Sequence, residues 1–246
     1  MLTPIDEVDG VEEIDGVETM KKTAIVLALV CAGIAQAAEV QKILFLGNSI
    51  TLHGPSKKVD WSGNWGMAAS ALDKDYVHLV TKGLAKKDGA APATLVKNIA
   101  TFERQYAATN DVLAQLTDAV VFNADLIVLC IGENVPNLAT AAAKAQFKGS
   151  VVKMLNGIKA DRKPLIVVRS CFWANAAKDD ALKQACAEVG GVFVDISALC
   201  KDTKNFARSE RTFKVDGVAN HPGDQGMQAI ADAIVGAVRQ TKGTVP

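Results

Sequence analysis

Five apolar runs of strand length, separated by stretches of helical pattern, constrain this chain more than any other feature. They read KILFLG at 42–47, ATLVKN at 93–98, DLIVLCIG at 125–132, PLIVVRS at 164–170 and GVFVDIS at 191–197. Most are continuous rather than alternating, and a continuous β-branched run suits a strand covered on both faces, as in a parallel sheet. Candidate helices lie between them at 66–87, 103–122, 139–161 and 175–189, and another at 224–240 closes the chain. Strands alternating with helices build right-handed βαβ units. The expected fold class is therefore α/β, a three-layer α/β/α sandwich on a five-stranded parallel sheet. Aromatics are scarce, at 5% of residues, which fits sheets covered by helices better than an all-β shell. No linker, repeat or low-complexity segment follows residue 38, so 38–246 reads as a single domain.

The start of the chain has a different character. Residues 1–19 carry seven acids, no base and a duplicated DGVE; they read as an unstructured acidic preface upstream of a truer start at Met20. From Met20 the sequence runs MKKTAIVLALVCAGIAQAAEV, with a basic Lys21-Lys22 pair, an apolar run from Thr23 to Ile34 and a small-x-small Ala35-Gln36-Ala37 end. That is the layout of a secretory signal peptide over 20–37, and the apolar run is too short to span a bilayer. Val30 before Cys31 argues against a lipid anchor, because a small residue is expected there. The expected location is periplasmic or secreted. Without residues 1–37 the chain holds 25 bases and 20 acids, spread without a Lys/Arg block, so nothing points to nucleic acid.

In an open parallel sheet, ligands bind beyond the carboxyl ends of the strands. Those ends read Gly47-Asn48-Ser49, Asn98 through Glu103, Gly132-Glu133-Asn134, Ser170-Cys171 and Asp195-Ile196-Ser197, a gathering of small, amide and acidic residues. Ser49 is either part of a plain strand-ending turn or a nucleophile, and a nucleophile needs a base. Of the three histidines, His78 sits in a helical pattern and His53 follows Ser49 closely enough to touch a substrate. His221 lies in DGVANHPGDQGM, where Pro222-Gly223-Asp224 reads as the turn and N-cap of the last helix. GNSIT is not the G-x-S-x-G elbow, and no phosphate loop, dinucleotide fingerprint or zinc-protease motif is present. No Cys/His spacing suggests a metal, and no cofactor is expected. Cys130, Cys171, Cys186 and Cys200 remain after residue 38. Cys186 and Cys200 flank one strand and form the better disulfide candidate in an exported protein, with buried free thiols as the alternative.

FLGNSIT near the start of the domain, CIGEN after the third strand and DGVANHPGDQGM before the last helix resemble blocks I, III and V of the SGNH/GDSL hydrolases. Their order and spacing agree over nearly all of 38–246. GNWGMAAS and HPGDQGM are similar to the secreted bacterial branch with acetyl-esterase-like members. The resemblance implies a flavodoxin-like sheet and a serine esterase without cofactor. Its substrate would be a small-molecule or glycan ester, most simply O-acetyl groups on a carbohydrate. Its partners would include neither nucleic acid nor, once the signal is cleaved, a membrane.

By residue, the resemblance implies Ser49 as nucleophile and His221 as base, with the Asn134 side chain and the Ser49 N–H as oxyanion donors. Two positions depart from the pattern. The acid usual three residues before the histidine is replaced by Val218, so Asp216 either orients His221 or yields to a backbone carbonyl in a Ser–His dyad. The block II glycine is missing from KNIATFER, which leaves the N–H of Phe102 or Glu103, with Glu103 favoured by position, or that of Gly66. Asn48, His53, Trp65 and Gly66 are the candidate substrate contacts. Trp61, Trp65 and Trp173 fall in or near the site loops, where Trp65 either stacks on a sugar ring or packs. The alternative functions are a lipase-like or thioesterase activity on short acyl esters, and a carbohydrate-binding protein without catalysis.

Overall fold

The computed structural model describes residues 39–108 and 112–243. The acidic preface, the signal-peptide reading and Cys31 lie outside the described residues. Five strands form the sheet: β1 (Lys42–Gly47), β2 (Ala93–Asn98), β3 (Leu126–Cys130), β4 (Leu165–Arg169) and β5 (Val192–Val194). They pair in parallel throughout, in the order β2-β1-β3-β4-β5, the flavodoxin-like arrangement. The register aligns Gly47 with Asn98 on one side and Cys130 on the other, so three strand ends reach the same level.

The helices are α1 (Tyr76–Gly83), α2 (Ala100–Gln105), α3 (Thr117–Phe122), α4 (Ala141–Lys159), α5 (Ala176–Glu188), α6 (Asp216–Ala219) and α7 (Asp224–Gly243). Two cores explain why the strands are apolar on both faces. Leu44, Leu46, Ile127, Leu129, Ile166 and Val168 pack against α2, α3, α4 and α5. Ile43, Phe45, Leu126, Val128 and Val167 pack on the opposite face against α1 and α7. Alternate residues of each strand thus enter different cores, and a polar residue in either register would be buried.

Two of the expected helices are not continuous. Of 66–87, only 76–83 is α-helical, because residues 65–75 tie loops together instead. Met67 donates its N–H to the Ser49 carbonyl and the Trp65 indole donates to the Ala69 carbonyl. Ala68 has φ of 71°, a left-handed conformation that a right-handed helix cannot contain. Asp75 then caps α1, accepting from the His78 N–H and ring. The expected helix 103–122 is instead α2, a short 3₁₀ turn at Val112–Gln115 and α3. The start of α7 also differs from the N-cap expectation. Asp224 is the first helical residue, its carboxylate accepts from Ser70, and Glu210 accepts from the N–H groups of Asp224 and Gln225.

Of the two sequence readings of the cysteines, free thiols are observed and the Cys186–Cys200 bridge does not form. Cys130, Cys171, Cys186 and Cys200 are free thiols, the first three buried. Cys186 packs at Gly191, while the Cys200 thiol faces the Ser197 carbonyl on a 3₁₀ turn. No helix among the described residues is long and apolar enough to cross a membrane.

Candidate active site

The end of β1 sets the position of Ser49. A Cβ on Gly47 would lie 1.8 Å from the Thr51 hydroxyl and 2.9 Å from the Cys130 carbonyl, so no larger residue fits. The chain then folds back tightly, with the Thr51 and Leu52 N–H groups both donating to the Asn48 carbonyl at 3.0 Å. Ser49 stands at this bend, half-buried, with its hydroxyl 2.8 Å from His221 Nε2.

His221 comes from the loop between α6 and α7. Its Nδ1 lies 2.7 Å from the Gly217 carbonyl, and because a carbonyl only accepts, Nδ1 carries the proton. Nε2 is then a bare lone pair facing the Ser49 hydroxyl. The Trp173 ring meets the imidazole edge-to-face, with centroids 5.4 Å apart. Burial lowers the His221 pKa below its usual value, although the Gly217 hydrogen bond opposes the shift. The ring is therefore neutral near pH 7 and able to take a proton. Asp216 does not orient it. The α6 turn places Asp216 in solvent and aims the carbonyl of the next residue at the ring, so the sequence alternative of a backbone-supported pair is the one observed.

Behind Ser49 lies a buried carboxylate network. Glu133 Oε1 accepts from Arg169 Nη1 at 2.7 Å and from the Phe172 N–H at 2.8 Å, while Oε2 accepts from Asn48 Nδ2 at 2.7 Å. Glu103 Oε1 accepts from the Gly132 N–H at 2.7 Å and from the Asn134 N–H and Asn48 Nδ2 at 3.2 Å. Its Oε2 accepts from Asn134 Nδ2 at 2.8 Å. Burial pushes the Glu133 carboxyl up, but Arg169 and the N–H donors outweigh it and hold it below the usual range. Burial and the charge of Glu133 raise the Glu103 carboxyl, which hydrogen bonds from Asn134 and Gly132 only partly offset. Arg104 donates to Asn134 Oδ1 at 3.1 Å, so the amide has its oxygen on a cation and one N–H on a carboxylate. Its second N–H remains for a ligand.

The hydrogen bonds around the site correct three sequence assignments. The Glu103 N–H is not an oxyanion donor, because it bonds the Ile99 carbonyl at 3.2 Å; the side chain is what reaches the site. Asn48 is fully buried, with both amide N–H groups on carboxylates and its oxygen accepting from the Ile50 N–H, so it cannot contact substrate. Gly66 is buried too, its N–H donating to the Asp75 carboxylate at 3.0 Å, which removes it both as donor and as contact.

A cavity of about 390 Å³ opens above Ser49 and His221, with His53, Asn98, Arg104 and Asn134 among its walls. Trp65 is not in it. Trp65 lines an adjoining cavity of about 410 Å³ with Trp61, Arg211 and Phe213, and Val59 and Val218 belong to both cavities. The two indoles meet edge-to-face at 5.6 Å. Among the described residues, no group of three or more His, Cys, Asp or Glu side chains could hold a metal.

None of the sequence motifs points to a role for Gly217, Arg104 or the Glu133–Arg169 pair. One signal for the pair was present. Arg169 is a charge inside an apolar strand run, and a buried charge requires a partner.

No protein-family model matches the chain and no curated protein matches it in sequence. Among solved structures, it is similar to a family two carbohydrate esterase from Clostridium thermocellum, at 14% identity over 82% of this chain and 65% of that one, with a TM-score of 0.57. An active-site mutant of a family two carbohydrate esterase from the same organism matches at 13% identity over 82% and 64%, also with a TM-score of 0.57. A family two carbohydrate esterase from Cellvibrio japonicus matches at 19% identity over 82% and 61%, with a TM-score of 0.50. The chain spans less than two thirds of the length of these esterases. At these identities the likeness is one of fold. With five parallel strands in this order, covered by helices on both faces, the chain has the fold of the SGNH/GDSL hydrolases.

Proposed function

We propose that the protein is a carboxylic ester hydrolase that removes short O-acyl groups, acetyl foremost, from a carbohydrate. The observation that carries this reading is the Ser49 hydroxyl 2.8 Å from a neutral imidazole whose other nitrogen is held by the Gly217 carbonyl. Ser49 Oγ attacks the ester carbonyl carbon while its proton passes to His221 Nε2. The carbonyl oxygen becomes an oxyanion, met by the free Asn134 amide N–H and the Ser49 N–H. One such donor contributes roughly 3–4 kcal/mol to transition-state stabilisation. The intermediate collapses as His221 returns the proton to the leaving alcohol. Water then attacks the acyl-serine, with His221 as base again, and releases the carboxylic acid and free Ser49.

Two observations support a carbohydrate as the alcohol part. The adjoining cavity is lined by Trp61 and Trp65, side chains of the kind sugar rings pack on, and the fold neighbours are carbohydrate esterases by name. The test is Ser49→Ala with p-nitrophenyl acetate. A fall in kcat of about 10⁴-fold or more is expected for loss of a serine nucleophile. Wild-type turnover by the variant, or no labelling of Ser49 by a fluorophosphonate, overturns the reading.

A further inference from the structure

We propose that Glu103 is a positioning residue of the site: its side-chain carboxylate presets the Asn134 amide toward the reacting carbonyl. The inference rests on the ester-hydrolase reading above. It is motivated by a buried acid that the mechanism itself does not use.

Glu103 sits on α2 and gathers four N–H donors from the ends of two different strands. Oε2 receives Asn134 Nδ2 at 2.8 Å, while Oε1 receives the N–H groups of Gly132 and Asn134 beyond β3 and the amide of Asn48 beyond β1. All four partners donate, so only a carboxylate satisfies them together. Asn134 is thereby clamped from two sides. Arg104 fixes its oxygen and Glu103 fixes one N–H, which forces the remaining N–H in a single direction. An oxyanion donor is effective in proportion to how little it must reorganise when charge develops, and this clamp supplies that preorganisation. The Asn48 amide is held by Glu103 on one side and Glu133 on the other. Glu103 itself touches no reacting atom.

The substitution that isolates this role is Glu103→Gln. The glutamine has nearly the shape of the acid but one acceptor oxygen in place of two. If that oxygen keeps the N–H groups of Gly132 and Asn134, its NH₂ opposes the Asn134 amide and turns it. Because Asn134 would act on the oxyanion and not on the ground state, kcat should fall about 10- to 100-fold with KM little changed.

The decisive measurement is a double-mutant cycle with Asn134→Ala on p-nitrophenyl acetate. If Glu103 works through Asn134, Glu103→Gln costs little further kcat in the Asn134→Ala background. A residue that merely stabilises the fold lowers Tm with no change in kcat of the folded fraction, and one that acts independently of Asn134 gives additive losses in the cycle; either result overturns the proposal. A second measurement needs no variant. In the wild-type protein, one Asn134 side-chain N–H should exchange slowly with solvent and shift as the Glu103 carboxyl is protonated. Free exchange of both protons also overturns the proposal. Activity surviving Ser49→Ala defeats the ester-hydrolase reading. An additive cycle on an enzyme that Ser49→Ala does inactivate defeats only the role of Glu103.

Discussion

At the scale of single residues, the group behind His221 decides the pH response. A carboxylate there would favour the imidazolium and raise the pKa; a carbonyl brings no charge, and burial then dominates and lowers it. The neutral ring is the active form, so activity is lost as pH falls and protons bind His221. The acid limb of kcat/KM, which reports the free enzyme, should have its midpoint below about 6.5, the usual histidine value. A profile of p-nitrophenyl acetate hydrolysis from acid to neutral pH checks this, and a midpoint above that value contradicts it. Asp216→Asn belongs to the same prediction. It should change kcat/KM by about twofold at most, against about 10⁴-fold where a buried carboxylate orients the histidine. Ser49, Asn134 and His221 were legible only through the resemblance of their blocks to the SGNH/GDSL hydrolases; position alone, at the end of an apolar run or just before the last helix, left each open to a structural role. The carbonyl of Gly217 was not, since a backbone acceptor has no letter of its own; only the four-residue turn of α6 creates it.

At the scale of elements, the strand ends are joined by charge as well as by backbone pairing. Arg169 at the end of β4 and Glu133 just beyond β3 form a buried pair at 2.7 Å, with both side chains almost wholly out of solvent. Removing one partner leaves the other desolvated and uncompensated. Glu133→Gln should therefore cost about 3–5 kcal/mol of unfolding free energy, measurable by urea denaturation. A loss within about 0.5 kcal/mol, as for an ordinary surface change, would count against this account of the pair. β1, β3 and β4 were legible to within two residues because burial on both faces leaves an uninterrupted apolar run, whereas β2, at the sheet edge, is partly exposed and carries a weaker signal. The helices were legible only where nothing competes for their backbone. α4 and α5 carry side-chain caps at Thr140 and Asn175 and run nearly as expected. The stretch at 66–75 has good helix formers, yet the Met67 N–H serves the Ser49 loop and the Gly66 N–H is held by the Asp75 carboxylate. Composition cannot reveal that tertiary demand.

At the scale of the whole molecule, the sheet order fixes where the site must be. β1 and β3 are neighbours, yet the chain leaves β1 through α1 on one face and β3 through α4 on the other, so a crevice opens beyond their carboxyl ends, where Ser49 stands. The loops bearing Trp61 and Trp65 and the segment around Phe213 extend this crevice into the second cavity, with Val59 and Val218 between the two. On the proposed reading, an acyl group over Ser49 would leave its alcohol part room to lie against the indoles. Burying one face of a sugar ring on an aromatic side chain contributes on the order of 1 kcal/mol or more, comparable to other aromatic contacts. Trp61→Ala should therefore lower kcat/KM for an acetylated oligosaccharide about tenfold relative to kcat/KM for p-nitrophenyl acetate, which has no sugar to place. The loss should fall mainly on KM, because the contact is made equally in ground and transition states. Equal losses on both substrates would place Trp61 in the support of the Ser49 loop, where its indole donates to the His53 carbonyl at 3.0 Å, and not in sugar recognition.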